Sequence, residues 1–420
     1  MSALVLLTAL AAQATVPAGS AYVATPAPPA STANTDAPAL GGSTYVDLEA
    51  GAGYSTNPLL RFGPNTDAAS GRVSAHAVHT RISERTTTVL SAYAQNVFYT
   101  RHFGAQQSLD VNARHDARVS EKLRIFGDAD ASYDKGGQLD TRIIGIPNVP
   151  LPPGVVEPPV LLPPGSDFLS ITGRQYRFSG HLGAQMALSA REFLTVTSGV
   201  EHVVSKAGTL DTRYTTIPVS IEYDRQVSTR TTVGARLTAQ RTDYNGPSSF
   251  RVITPQVTVQ SALSEGLSFA GAIGVSFASV DDGIRTDHST GLSANASLCS
   301  LGERDRFCGR ASVDQQAATA AGPARSVNVG VDYTRRLDAD QTIQLSLSGN
   351  RYSSPTSVFV GQSFSRATYV RGAADYTRRL SNRWFGGVSV AGRKLAQNGP
   401  DPKADVSGSL FIRYRLGDLQ

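Results

Sequence analysis

The chain has 420 residues, a formal net charge of +5, 40% hydrophobic and 17% charged residues, 39 Gly, 2 Cys and 1 Trp. Two cysteines in so long a chain exclude a disulfide scaffold, and no apolar run of about 20 residues follows the first dozen, which excludes a helical membrane protein. A disordered chain would be more charged and less aromatic, so a Gly-, Thr- and Ser-rich β protein remains, with its apolar surface spread over alternate residues.

In chain order, residues 3–12 are a short apolar run, and Ala12-Gln13-Ala14 has the small-x-small shape of a signal-peptidase site. Residues 1–14 are therefore expected to be a signal peptide. Residues 15–40, with Thr25-Pro26-Ala27-Pro28-Pro29, read as a flexible Ala/Pro/Thr-rich segment. From residue 41 to 420 the chain alternates. Leu123, Ile125, Ala129, Ala131 and Tyr133 share one parity, and Arg124, Asp128, Asp130 and Ser132 share the other. Successive strand side chains point to opposite faces, so this segment has one apolar and one polar face. The same pattern recurs around Tyr176–Met186, Val233–Ala239, Val327–Tyr333 and Val406–Leu416. Such runs last about 10 to 12 residues, the length of a tilted membrane-crossing strand, whereas soluble strands usually stop at about 5 or 6.

Short polar turns separate these runs: Ile82-Ser83-Glu84-Arg85, Val119-Ser120-Glu121-Lys122, Leu188-Ser189-Ala190-Arg191, Val227-Ser228-Thr229-Arg230, Leu263-Ser264-Glu265-Gly266, Leu337-Asp338-Ala339-Asp340 and Leu380-Ser381-Asn382-Arg383. They recur mostly every 36 to 43 residues or so, which fits a hairpin of two long strands with one short and one long connection. One wider gap holds the Pro-rich insertion 136–172, stiff and extended, read as a lid or constriction at the mouth or else as a surface-exposed loop. The expected fold is all-β: a transmembrane antiparallel up-and-down β-barrel of about eighteen strands, or sixteen if a hairpin near Arg213–Asp224 or Arg310–Thr319 is lost. Tyr54, Phe98, Tyr133 and Tyr176 fall at one end of their strands, and Tyr223, Phe269, Tyr333, Tyr376, Trp384 and Tyr414 at the other, as in interfacial aromatic girdles.

Inward parity collects Arg72, Tyr93, Asp110, Arg114, Arg124, Phe126, Asp128, Asp130, Arg177, Glu201, Glu222, Arg236, Asp332, Arg371, Asp375, Arg393 and Arg413. These are the expected pore-lining residues of a barrel wide enough for an aqueous channel. Both charge signs are present, so selection by net charge is weak. Rings beside Arg and Asp in a wet lumen suit sugars, whose C–H faces stack while their hydroxyls bond. Cys299 and Cys308 flank a turn on the periplasmic side and are expected to form a disulfide. The seven histidines are scattered, and no nucleophile elbow, HExxH or phosphate loop occurs, so no catalytic residue, metal or cofactor is expected. The basic residues are interleaved with acids rather than clustered, which argues against nucleic acid.

The repeated Tyr333-Thr334-Arg335-Arg336-Leu337 and Tyr376-Thr377-Arg378-Arg379-Leu380, with the closing Leu410-Phe411-Ile412-Arg413-Tyr414-Arg415-Leu416, resemble the second β-barrel porin family of Gram-negative outer membranes. The resemblance runs from about residue 39. It departs at Gly417-Asp418-Leu419-Gln420, where such barrels carry a terminal aromatic. It implies a location in the cell outer membrane, among outer-membrane lipid and lipopolysaccharide. It also implies a role as the exit pore for an exopolysaccharide or capsular polysaccharide, with the polymer in the lumen and a periplasmic polysaccharide export protein as partner. A general or sugar-uptake diffusion porin is the alternative, ahead of a barrel enzyme or structural anchor.

Overall fold

The computed structural model describes residues 41–60, 65–100, 103–135, 173–207, 210–246, 248–281, 283–318, 322–353, 366–397 and 403–417. The expected signal peptide, the linker and the insertion 136–172 lie outside them. The described residues form β1 (Gly41–Ser55), β2 (Ala68–Ile82), β3 (Thr86–Tyr99), β4 (Ala105–Arg118), β5 (Leu123–Lys135), β6 (Arg174–Ala187), β7 (Glu192–Ala207), β8 (Leu210–Gln226) and β9 (Thr231–Tyr244). They continue with β10 (Ser249–Ala262), β11 (Leu267–Asp281), β12 (Thr286–Leu301), β13 (Asp305–Ala318), β14 (Gly322–Arg336), β15 (Gln341–Ser353), β16 (Arg366–Arg379), β17 (Trp384–Gln397) and β18 (Asp405–Gly417). Each strand pairs antiparallel with its sequence neighbours, and β1 pairs with β18, from Tyr45 opposite Gly417 to Ser55 opposite Ser407. The sheet is a closed 18-stranded barrel without a free edge. Both doubtful hairpins form, as β8 and β13.

The turns repeat because their chemistry repeats. Val119 N–H donates to the Leu123 carbonyl, and the same i to i+4 bond recurs at Leu188, Val227, Leu263, Leu337 and Leu380. A side-chain oxygen then accepts inside the turn: Ser120 from Lys122 N–H, Ser189 from Arg191 N–H, Ser228 from Arg230 N–H and Asp338 from Asp340 N–H. Short polar side chains that bond their own backbone two residues on favour such turns.

Burial is inverted relative to a water-soluble protein. Leu182 (72% exposed), Leu410, Ile273 and Val257 stand on the outer wall, while Asp110 and Thr216 inside are fully covered. Only lipid accommodates such an outer face, and a closed barrel leaves no backbone group unpaired within it. At the turn end Trp384 and Tyr414 stack with ring centroids 4.7 Å apart, and at the other end Tyr133 and Tyr176 do so at 5.0 Å. Both pairs sit on the outer face, where headgroups favour amphipathic rings. A closed antiparallel barrel with this band and these girdles is an outer-membrane structure.

The barrel bends sharply at β11 and β12, where the backbones of β10 and β13 approach within 8 Å. The inward residues there are mostly small: Ala270, Ala272, Gly274, Ser276 and Ala278 on β11, and Gly291, Ser293 and Ser297 on β12, with Asn295 between the last two. Pro255 has no N–H to give the ladder, and the β10–β11 pairing skips from Ile253–Phe277 to Gln256–Gly274. A Cβ on Gly274 would lie 1.9 Å from the Pro255 carbonyl oxygen, which is backbone and cannot move aside cheaply. Gly274→Ala is therefore expected to cost about 1–3 kcal/mol through backbone displacement. Gly330→Ala, whose Cβ would meet only the Leu347 carbonyl at 3.9 Å, is expected to be near neutral. Urea midpoints in detergent check the pair.

Candidate functional site

The interior is built from the alternate residues that face away from lipid. Every one of the expected lining residues has inward parity on its strand, and most are covered by neighbours rather than left facing open lumen. The charges are organised as pairs. Arg72 and Arg413 both reach Glu49, at 2.9 and 3.2 Å. Arg236 makes a two-pronged contact with Glu222 at 2.8 and 3.1 Å, and Arg177 meets Glu201 at 3.0 Å. Arg310 bonds Asp332 at 2.8 Å, His181 bonds Asp128 at 3.0 Å, and Arg124 pairs with Asp116. Asp110 and Asp130 lie together beside Arg177. Arg114 stands opposite Asp128 in register, Arg371 opposite Arg393, and Asp375 between Gln344 and Ser389. Most of these charges are thus neutralised by cross-strand pairing, with Arg371 facing Arg393 and Asp110 beside Asp130 as like-charge exceptions.

The inward rings differ from the sugar-stacking expectation. Phe126 lies across Gly183 and Phe411 across Gly387, each directly opposite in register. Their faces are occupied by cations: Arg124 is 5.8 Å above Phe126 and Arg413 5.5 Å above Phe411. Arg415 sits between Tyr45 at 4.3 Å and Phe385 at 5.4 Å while bonding Asp47. Tyr93 packs edge-on to His76 and bonds Gln95. Guanidinium groups win these faces because cation–π attraction strengthens where water is thin.

The wall opposite the charged side has another chemistry. Strands β10, β11 and β15 present no charged side chain inward. Thr254, Gln256, Thr258 and Gln260 of β10 continue into Ser276 and Ser293, beyond which β13 and β14 bring in Asp314, Arg310 and Asp332 before the neutral Ser346, Ser348 and Asn350 of β15. Thr254 and Ser276 bond at 2.9 Å, Gln256 reaches over the small residues of β11 to Ser293 at 2.9 Å, and Ser293 donates to Asp314 at 2.6 Å. Sequence reading for charged and aromatic residues passed over this neutral hydroxyl and amide wall.

It also passed over a constriction. After β1 the chain turns inward, and Asn57, Leu59 and Leu60 are 0%, 3% and 4% exposed. Leu59 and Leu60 cluster with Ala68, Phe103, Tyr369 and Leu395. Tyr369 and Leu395 are inward residues of β16 and β17, so the segment lies inside the mouth. It is anchored on a buried ion pair: Arg393 bonds Asp405 at 2.9 Å and donates to the Pro58 carbonyl at 2.8 Å. Asp405 also accepts from Ser55 Oγ at 2.6 Å and from Asn57 N–H at 3.0 Å. The apolar triplet Pro58-Leu59-Leu60 in a connection that ought to be polar was the available signal. The expected lid, 136–172, lies outside the described residues.

Cys299 and Cys308 are bonded to each other, opposite one another in the β12–β13 register. Among the described residues no group of three or more His, Cys, Asp or Glu is placed to hold a metal. A polar interior inside a lipid-facing wall is the arrangement of a channel.

No family profile matches the chain, and no curated protein matches it in sequence. Among solved structures, it is similar to the Pseudomonas aeruginosa OccK2 (OpdF) structure, with 11% identity and a TM-score of 0.45 over 90% of this chain and 98% of that one. It is similar to the siderophore receptor PirA from Acinetobacter baumannii, with 10% identity and a TM-score of 0.40 over 89% and 80%. It is also similar to the FrpB iron transporter from Neisseria meningitidis, with 12% identity and a TM-score of 0.44, over 86% of this chain but 64% of that one. At these identities and scores the barrel assignment rests on the chain's own register and exposure pattern.

Proposed function

We propose that the chain is the outer-membrane exit channel for a secreted polyhydroxylated polymer, an exopolysaccharide or capsular polysaccharide. The observation that supports this most is the hydroxyl and amide lining of β10 and β11, which carries no inward charge, together with ion pairing of most of the charges elsewhere in the interior. A sugar chain offers many hydroxyls and few charges, and a wall of Thr, Ser, Asn and Gln exchanges hydrogen bonds with it at many equivalent positions. Paired charges on the other side give it no strong ionic trap to stick in. Hydrogen bonding takes the place of ring stacking here, since the inward rings are covered. The expected lining residues, Arg72 through Arg413, act in this reading mainly as the braced half of the conduit. No catalytic step is assigned to them. A periplasmic export protein would meet the turn side, which also carries the N-terminal end of β1.

Removing the gene is expected to abolish secreted polymer while uptake of small sugars stays normal. Undiminished polymer outside the cells overturns the proposal, and a loss of sugar uptake with normal secretion identifies a diffusion porin instead.

A further inference from the structure

Beneath the mouth, β4, β5 and β6 gather inward groups that the ion pairs do not absorb. Asp110 is fully buried, and neither of its carboxylate oxygens receives a hydrogen bond among the described residues. It meets the buried carboxylate of Asp130, and the guanidinium acting on it, that of Arg177, is already held by Glu201 at 3.0 Å. Two hydroxyls on the same face are buried and lack a hydrogen-bond partner among the described residues. Ser108 Oγ belongs to the inward residue next to Asp110 on β4, and Ser179 Oγ to the residue opposite Asp130 on β6. Ser132 of β5 stands opposite Asp110.

The surroundings do not balance these acids. Turn end apart, the inward acids of β4–β7 are Asp110, Asp116, Asp128, Asp130, Asp134 and Glu201, against Arg114, Arg124 and Arg177. His181 bonds Asp128. On one flank, β3 has no charged inward residue among those described; on the other, β8 brings two further acids, Glu222 and Asp224, of which Arg236 pairs the first. A carboxylate buried without a donor is costly, and a second one beside it raises the cost. A cation between the two removes both penalties.

We propose that Asp110 and Asp130 bind a calcium ion, with the hydroxyls of Ser108, Ser132 and Ser179 and water completing its shell. Calcium takes about six to eight oxygens in flexible geometry, whereas magnesium keeps several waters and demands an octahedron. A recess that covers Asp110 completely suits calcium. The donors are oxygen throughout, which turns away zinc and copper. Two carboxylates supply the charge and neutral oxygens the rest, so no third acid or imidazole is needed. The ion would tie β4 to β5 and β6 and lift excess negative charge from that wall. The inference is independent of the cargo.

The test uses the full chain in detergent, freed of lipopolysaccharide and stripped with EDTA. Tyr93 stands opposite Asp110 on β3, so its ring should sensitise terbium luminescence when terbium(III) replaces calcium. One equivalent is expected to bind, with calcium displacing it at a lower concentration than magnesium. Tyr93→Phe should lose most of the luminescence and keep the calcium affinity measured by calorimetry. Asp110→Asn and Asp130→Asn should each weaken calcium binding at least about tenfold, since ligand charge sets affinity, while Asp243→Asn on the exposed outer face should change nothing. Urea midpoints separate a site from a folding defect. In EDTA, Asp110→Asn should be at least as stable as the parent, because it removes a buried charge; added calcium should raise the parent's midpoint and not the variant's. Undiminished binding by both Asn variants overturns the site, and so does a parent midpoint that calcium leaves unmoved. Displacement of terbium by magnesium as readily as by calcium overturns calcium as the ion. A midpoint that follows pH but not calcium means that the two carboxyls share a proton instead, which also overturns it. Secretion enters none of these readouts, so failure here leaves the channel reading standing.

Discussion

Replacing Leu59 and Leu60 by serine is expected to raise single-channel conductance several-fold. The two side chains are buried against Phe103, Tyr369 and Leu395 inside the mouth. Each contributes about 1.5–3 kcal/mol by leaving water. Serine forfeits that burial without adding a compensating partner, so the segment after β1 should leave the lumen for part of the time. Planar-bilayer recordings would show a larger open level with frequent returns to the parent level. Unchanged conductance would mean that the mouth is limited elsewhere. Urea stability should fall by no more than the burial that is lost, because the strands themselves keep their full ladder.

Asp405→Ala is expected to be the most destabilising single change, by about 3–5 kcal/mol, the usual effect of breaking a buried ion pair. Arg393 would remain charged and 5% exposed after losing its carboxylate, while still donating to the Pro58 carbonyl. The donors of Ser55 and Asn57 would lose their acceptor as well. The double variant Arg393→Met, Asp405→Leu should recover most of the loss, since replacing both charges removes the stranded one. Trp384, the single tryptophan, reports unfolding by fluorescence. If the double variant is no better than Asp405→Ala, the loss comes from the hydrogen bonds to the inward segment rather than from the unpaired charge. Because the pair and the two leucines hold the same segment, their effects on conductance should not add.

The polymer reading and the constriction bear on each other. The segment after β1 places Leu59 and Leu60 inside the mouth against Phe103, Tyr369 and Leu395.

Several features were set by local sequence alone. A strand sends alternate side chains to opposite faces, so period-two patterning was enough to separate lipid-facing Ile125 or Leu410 from inward Arg124 or Arg413. Ser120, Ser189, Ser228 and Asp338 bond within their own turns, so the positions of the hairpins could also be read. Cys299 and Cys308 were legible because one turn joins them. What required the folded barrel is everything that joins strands distant in sequence. Parity says that Arg393 points inward, but it does not say that Asp405, Pro58 and Asn57 converge on it. It marks Phe411 as a lumen ring, but the ring's faces are taken by Gly387 and Arg413. The bend at β11–β12, the Gln256–Ser293 bridge and the meeting of Asp110 with Asp130 depend on which residue meets which across the sheet. Register and closure decide these because every strand's neighbours, first to last, must be satisfied together.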